Sequence, residues 1–290
     1  MEESWTILKV LQWTTGYFGR KGIEQPRANA EVLLAFVLGM ERIDLYLRHD
    51  QPLTASELSR YREVVRRRAL REPTQYITRR QEFWSLEFEV DPAVLIPRPE
   101  TELLVEKALD LVGSDPKKVL EIGTGSGAIS VALAHECGSV QILATDKSPE
   151  ALRVARRNAR RHGVLERISF VAADLFEGLH PGNARFHLVV GNPPYVSDEE
   201  YADLPEEISG HEPAMALLGK GPRGLDVVRR ILQTAGAFLT APGDLLLEIG
   251  RGQAEILEQE PKLFPGLRLE GFLRDHSGIL RIMHLRKVIG

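Results

Sequence analysis

Val119-Leu-Glu-Ile-Gly-Thr-Gly-Ser-Gly127-Ala128 joins an apolar strand to a helix through glycines at every second position. Such a loop turns tightly and lets a ligand press against backbone. From Lys118 onward, short apolar runs alternate with helical patterns. Val119–Gly123, Gln141–Asp146, Ile168–Asp174, Phe186–Asn192 and Asp244–Gly250 read as strands. Ser126–Glu136, Pro149–His162, Gly224–Leu239 and Gln253–Glu258 read as helices. The alternation predicts an α/β fold, a mainly parallel sheet covered on both faces. Leu267–Arg274 and Ile279–Leu285 flank Asp275-His-Ser-Gly278, a turn that predicts a final antiparallel pair. The expectation is seven strands, closed by a reversed one. Ligands of such sheets collect beyond the carboxyl ends of the central strands.

Two further features sit at those ends. Asp146 and Asp174 end the second and third strands, and Asn192-Pro-Pro-Tyr195 follows the fourth. A carboxylate at Asp146 can accept both hydroxyls of a ribose, and Asp174 can meet an adenine amino group. The Asn192 amide oxygen and the Pro193 carbonyl are two acceptors on a turn that Pro193 and Pro194 stiffen, since neither has an N–H and both have φ fixed. Two such acceptors can grip a planar –NH2 by both hydrogens. Gly123-x-Gly125-x-x-Ala128 also fits the loose dinucleotide pattern, so the loop alone leaves NAD-type and S-adenosylmethionine binding open. Glu121 two residues before the first glycine, Asp174, and the nitrogen-gripping turn together favour a methyl donor beside a methyl acceptor.

Composition bounds the class. With 43% hydrophobic and 27% charged residues, the chain is expected to be an ordinary water-soluble globular protein. Its 290 residues favour two domains over one. No apolar run reaches the roughly 20 residues of a membrane span, and Met1-Glu-Glu-Ser-Trp lacks a secretory pattern. Cys137 is the one cysteine, which excludes an internal disulfide. A cytoplasmic protein is expected. His135, His162 and His180 lack companions at metal-ligand spacing, so no metal is expected. The net charge of −4 argues against a surface built wholly for nucleic acid. Charge is uneven, however: eight arginines lie between Arg60 and Arg80, and a second basic stretch runs from Arg153 to Arg167. Each is either a solvated helix face or a docking surface for an acidic protein or RNA.

The first 75 residues read as helical. Ser4 precedes an apolar run through Leu8, Leu11 and Trp13 that Gly16, Gly19 and Gly22 end. Pro26 opens a helix that Gly39 closes, and Thr54-Ala-Ser-Glu57 is a capping box for a basic helix reaching about Arg71. Phe83, Trp84, Leu86, Phe88 and Val90 suggest a short hairpin around Ser85-Leu-Glu, and Pro99 restarts a helix. The expected domains are 1–80, helical; 81–97, a hairpin linker; and 98–290, the sheet.

These residues resemble the PrmC (HemK) family of peptide chain release factor N(5)-glutamine methyltransferases over nearly the whole chain. Glu82-Phe-Trp-Ser-Leu, Leu95-Ile-Pro-Arg-Pro-Glu-Thr-Glu102, Glu121–Gly127, Asn192–Tyr195 and His211-Glu-Pro213 carry the likeness. The resemblance implies a class I S-adenosylmethionine-dependent methyltransferase fold plus a helical module that recognises the release factor. The implied substrate is the Gln of a Gly-Gly-Gln loop in class I release factors, with S-adenosylhomocysteine as the other product. It further implies that Gly123, Thr124, Gly125, Ser126, Gly127, Asp146 and Asn192 hold the cofactor, with Asp174 and Leu175 at its adenine. Asn192, Pro193, Pro194 and Tyr195 would hold the glutamine amide, Tyr195 packing against its plane. Asn192, Pro193 and Tyr195 would be catalytic. Arg98 and Glu100 are candidates for the pocket entrance, and Glu212 for contact with the substrate loop. Family members usually carry Gly at the position of Arg79, and Asp at that of Arg223. A monomer with no need of direct nucleic-acid binding is expected. The competing readings are an adenine N6-methyltransferase acting on DNA or RNA, which presents the same –NH2, and a cofactor-binding scaffold without activity.

Overall fold

Thr6, rather than Ser4, caps the first helix, α1 (Ile7–Arg20), its hydroxyl accepting the Lys9 N–H at 3.4 Å. The structure is a computed structural model and describes residues 4–182 and 186–288. The buried face of α1 is Ile7, Val10, Leu11, Thr14 and Phe18, while Leu8 and Trp13 are exposed. Gly16 and Gly19 lie inside the helix instead of ending it. Phe18, fully buried, anchors the last turn, and core packing outweighs the roughly 1 kcal/mol that each interior glycine costs.

Helix α2 (Pro26–Leu38) begins on Pro26 and ends at Gly39, whose φ of 65° only glycine adopts without strain. Short α3 (Arg42–Leu47) precedes α4 (Ala55–Ala69), which opens with the reciprocal Thr54–Glu57 capping box, and α5 (Thr74–Thr78) follows Pro73. These helices share one apolar core centred on Phe18, Leu33, Leu34 and Leu45. Met1–Arg80 together with Pro205–His211 form this unit; Gln81–Leu204 and Glu212–Gly290 form the second. Inside the helical unit much of the arginine run is committed. Arg66 pairs with Glu63, Arg67 with Glu72, and both Arg68 and Arg71 with Glu207.

Strands β1 (Arg80–Phe83) and β2 (Leu86–Glu89) form the hairpin, but its turn is Trp84-Ser85, at φ 54° and 55°. Leu86 and Glu87 already belong to β2. The positive φ pair matches strand twist, and Trp84 is held in it by its own bonds. Its N–H donates to Glu102 at 2.7 Å and its indole N–H to Glu136 at 3.0 Å.

The remaining strands are β3 (Lys117–Ile122), β4 (Val140–Asp146), β5 (Ile168–Ala172), β6 (Phe186–Gly191), β7 (Leu239–Glu248), β8 (Arg268–Arg274) and β9 (Leu280–Lys287). They form one sheet in the order β5-β4-β3-β6-β7-β9-β8. Strands β5 to β7 pair in parallel, and β9 is antiparallel to both β7 and β8. The reversed strand therefore sits inside the sheet, with β8 at the edge. Alternate residues serve opposite faces. Val119, Leu188, Val190 and Leu246 pack with α6 (Glu102–Val112), α7 (Ala128–Glu136) and α8 (Pro149–Arg161). After β6 come three short helices, α9 (Asp198–Ala202), α10 (Glu206–Ser209) and α11 (Ala214–Leu217). Leu120, Ile122, Val189, Leu245 and Leu247 pack on the other face with α12 (Asp226–Phe238) and α13 (Ala254–Glu258). The architecture is that of a class I methyltransferase. Among the described residues no helix is long and apolar enough to cross a membrane.

Most of the second basic stretch is likewise committed within its unit. Arg153 pairs with Glu150, Arg157 with Glu89 and Asp91, and Arg161 with Glu87, while Arg156 and Arg167 donate to backbone carbonyls.

Candidate active site

Ile122 and Gly191 are register partners on adjacent parallel strands, so the chain leaves β3 and β6 side by side. From there β3 leads toward β4 on one flank and β6 toward β7 on the other. That divergence opens a crevice at the strand ends. A Cβ at Gly191 would come within 2.8 Å of the Ile122 carbonyl oxygen, so this position needs glycine for the two strands to close up. The crevice is a cavity of about 490 Å³ whose lining includes Gly123, Thr124, Gly125, Ser126, Asp146, Asp174, Leu175, Asn192 and Pro194. The glycine loop and the Asn-Pro-Pro-Tyr turn, about 70 residues apart in sequence, thus face one space. Gly127, Pro193 and Tyr195 lie outside its lining.

The loop is held from several sides. Thr124 N–H donates to the Thr145 carbonyl at 2.9 Å, and Gly125 N–H to Asp146 Oδ2 at 2.8 Å. Asp146 Oδ1 accepts the Ser148 N–H at 2.8 Å. Burial raises the Asp146 pKa, against the pull of the backbone N–H groups of Ser148 and Gly125. Asn158, buried on α8, was not marked by any sequence motif. Its amide donates to the Ser126 carbonyl at 2.8 Å and the Glu89 carbonyl at 2.9 Å, tying the loop to β2. Asp174 pairs with Lys147 at 2.8 Å and Arg230 at 3.4 Å. The Lys147 bond, against a smaller opposing effect of burial, holds its carboxyl below the ordinary range. Leu175 beside it has φ 57°, uncommon for a leucine, and faces the cavity.

Glu121 is 1% exposed and lines the same cavity. One of its oxygens, Oε2, accepts hydroxyls from Thr124, at 2.7 Å, and from Ser130. The other, Oε1, is buried without a hydrogen-bond partner among the described residues. Burial pushes the carboxyl up to about 7, the two hydroxyls offsetting part of the rise and the nearby Asp146 charge adding to it. A buried acceptor left open beside a cavity is matched by a ligand bringing a donor, preferably a cation. The ammonium of an amino-acid moiety fits that requirement, so the residues present fit S-adenosylmethionine.

Elsewhere on the lining, Asn192 Nδ2 donates to Thr101 Oγ1 at 3.0 Å, and Thr101 Oγ1 donates to Glu248 Oε2 at 2.6 Å. Tyr195 is turned toward the same carboxylate, its hydroxyl donating to Glu248 Oε1 at 3.3 Å. The sequence reading sets Tyr195 against a bound amide; here its ring lies by Gly250 and its carbonyl accepts Gln253 Nε2 at 3.0 Å. Burial raises the pKa of Glu248 to about 7 and raises that of Tyr195 as well. Neither Thr101 nor Glu248 was singled out from sequence. The signal for Glu248 is a lone acid in the apolar run Leu245-Leu-Leu-Glu248-Ile249.

Arg98 lines the cavity, but Glu100 is exposed and does not. Glu212 is already engaged: it accepts Arg98 at 2.5 Å and the Ile96 N–H at 3.1 Å. These two bonds hold the segment before α6 to the Glu212-Pro213 turn. Among the described residues no cluster of His, Cys, Asp or Glu could hold a metal.

A parallel sheet with one reversed strand, a glycine loop and a facing Asn-Pro-Pro-Tyr turn define a methyltransferase of class I fold. A family model described as the PrmC N-terminal domain matches residues 9–78, and one described as the methyltransferase small domain matches residues 99–210. A release factor glutamine methyltransferase of Geobacter sulfurreducens is 46% identical over 253 residues, 87% of either chain. That of Rhodopirellula baltica is 37% identical over 288 residues, 98% of this chain and 97% of its own. Among solved structures, a methyltransferase of Pyrococcus furiosus is similar with a TM-score of 0.53 at 18% identity, covering 80% of this chain and 99% of its own, a likeness of fold alone. The chain belongs to the release factor glutamine methyltransferase family.

Proposed function

We propose that the protein methylates the side-chain amide nitrogen of the Gln in the Gly-Gly-Gln loop of class I peptide chain release factors, using S-adenosylmethionine. The observation that carries this reading is that Asn192 lines the same cavity as the glycine loop and the open Glu121 oxygen. When bound, the cofactor supplies an electrophilic sulfonium methyl and leaves as S-adenosylhomocysteine. Gly123 to Gly127 would approach it through backbone, Glu121 would take its ammonium, Asp146 its ribose hydroxyls, and Asp174 and Leu175 its adenine.

An amide nitrogen is a poor nucleophile because its lone pair is delocalised into the carbonyl. Asn192 Oδ1 and the Pro193 carbonyl each accept one N–H of the glutamine amide, which orients that lone pair into the cavity. Orientation is the main contribution. The same two oxygens stabilise positive charge growing on the nitrogen, and once the methyl is bound the nitrogen releases one N–H proton to water as S-adenosylhomocysteine departs. Pro194 keeps the turn rigid, and Tyr195 braces it through Glu248. The helical region 1–80 recognises the release factor, 81–97 links it, and 98–290 carries out transfer, in the cytoplasm and as a monomer.

Mass spectrometry of a purified class I release factor after incubation with enzyme and S-adenosylmethionine tests the reading. The expected result is one added methyl on the Gln of its Gly-Gly-Gln loop. Label appearing in DNA or RNA and not in the release factor would overturn it.

A further inference from the structure

Resting on the function proposed above, we infer that Thr101 and Glu248 decide which end of the Asn192 amide faces the cavity, and so are positioning residues for amide methylation. The inference follows from counting hydrogens. Thr101 has one hydroxyl hydrogen, and Glu248 Oε2 takes it at 2.6 Å. The Thr101 oxygen can then only accept, so the Asn192 group 3.0 Å away has to be its NH2. Tyr195 donates to the other Glu248 oxygen, so once the carboxylate is ionised, above about pH 7, both of its oxygens accept and neither offers Thr101 a hydrogen. The Asn192 carbonyl oxygen is thereby the end left for the cavity.

That choice matters because the substrate –NH2 brings donors only along its two N–H bonds. An Asn192 turned the other way would set donor against donor. Asparagine has no preference of its own, its two ends being nearly the same size. The preference has to come from neighbours, and the three elements involved are distant in sequence: the turn before α6, the end of β6 and the end of β7. A stability role alone accounts poorly for Glu248. It is 1% exposed with two hydroxyls as its hydrogen-bond donors, and burying a carboxylate this way costs stability that an apolar residue would not. Arg281, a cation whose charge acts on it, is itself paired with Asp275 at 3.0 Å.

The test is methylation kinetics on a purified class I release factor, with calorimetry of S-adenosylmethionine binding, for Thr101→Val, Thr101→Ser and Glu248→Met. Thr101→Val keeps the shape and removes the hydroxyl; kcat is expected to fall about 10- to 100-fold, the scale of a misplaced reacting group, with cofactor affinity held within about twofold. Thr101→Ser restores the hydroxyl and brings the rate back to within about threefold of wild type on the same scale. Glu248→Met frees the Thr101 hydrogen to donate to Asn192 and lowers kcat like Thr101→Val, so it serves if that variant does not fold. A Thr101→Val enzyme with wild-type kcat, a Thr101→Ser enzyme as slow as Thr101→Val, or a cofactor-affinity loss matching the rate loss would each overturn the inference. An inactive Asn192→Ala beside a fully active Thr101→Val overturns the positioning role alone; a wild-type enzyme that methylates no release factor overturns the function and this role with it.

Discussion

The helical unit and the sheet unit each bury glutamates at 1% exposure and treat them in opposite ways. Glu31, on α2, meets Arg27 at 2.5 Å, Arg42 at 2.7 Å and the Tyr46 hydroxyl. Burial pushes its pKa up, but the bonds from Tyr46, Arg42 and Arg27 together outweigh it and hold the carboxyl below its ordinary value. Among the described residues, the side-chain donors to Glu121 and Glu248 are hydroxyls, and burial carries both carboxyls up to about 7. A carboxylate saturated by cations is a structural joint, closed to anything else. One buried with an oxygen open, or with its acceptors spent on orienting a neighbour, costs stability and is kept where chemistry needs it.

The sharpest way to break the contrast is at the end of the sheet-side network. Asn192→Ala should lower kcat by about 10²- to 10³-fold, the effect of losing one preorganised polar group, while S-adenosylmethionine affinity stays within about twofold. Kinetics and calorimetry on one preparation separate the two quantities. Equal losses in both would place Asn192 in cofactor binding.

Glu31→Gln should destabilise the helical unit by about 2 kcal/mol, below the full cost of breaking a buried pair because Arg27 and Arg42 can turn to solvent. Hydrogen exchange resolved by peptide would register the loss in α2 and α3 but not in β3 to β7. pH should act on the units with opposite sign. Glu31 contributes stability above its ordinary value of 4.5, lost as pH falls through its lowered folded value. Glu121 and Glu248 hold protons in the folded state between 4.5 and about 7 that the unfolded chain has released. Without cofactor, sheet-unit protection should therefore decline as pH rises from 5 to 7 and then level off. A sheet unit that gains protection over that range would contradict the assignment of these two groups.

Glu121→Gln should weaken S-adenosylmethionine binding about tenfold, a charge-assisted bond replaced by a neutral one, while leaving the cofactor-free protein as stable or more so. Taking up an ammonium ionises Glu121, so binding at pH 6.5 should release a proton in wild type and less in Glu121→Gln. Calorimetry in buffers of different ionisation enthalpy reads this directly. The smallest effect concerns Arg79, held at φ 58° as the C-cap of α5. That conformation costs a non-glycine residue roughly 1–2 kcal/mol, of which the greater freedom of an unfolded glycine returns part. Arg79→Gly should stabilise the helical unit by about 0.5 kcal/mol in urea unfolding.

Features carried by a few consecutive residues were legible. The Thr54–Glu57 box, the Gly39 stop, the period-2 strands and the glycine loop each act through bonds or φ angles within about four residues. Misreadings arose where distant packing decided. Ser4 and Thr6 are both capping residues, and the burial of Ile7 chose between them. Gly16 and Gly19 would end an isolated helix, yet the Phe18 contact carries α1 past them. The hairpin turned at Trp84-Ser85 because Glu102 and Glu136 hold Trp84 there.

The sequence by itself determined the class of the sheet, the glycine loop after β3 and the proline-stiffened turn after β6, since those depend on residue type and close spacing. Only the tertiary structure decided that Thr101, Asn192 and Glu248 form one network, that the Tyr195 hydroxyl joins it at Glu248, and that Glu212 pairs with Arg98. The reason is physical: a hydrogen bond depends on where two groups sit within about 3 Å, and for residues 50 to 150 positions apart that is fixed by how strands pair, not by what lies next along the chain.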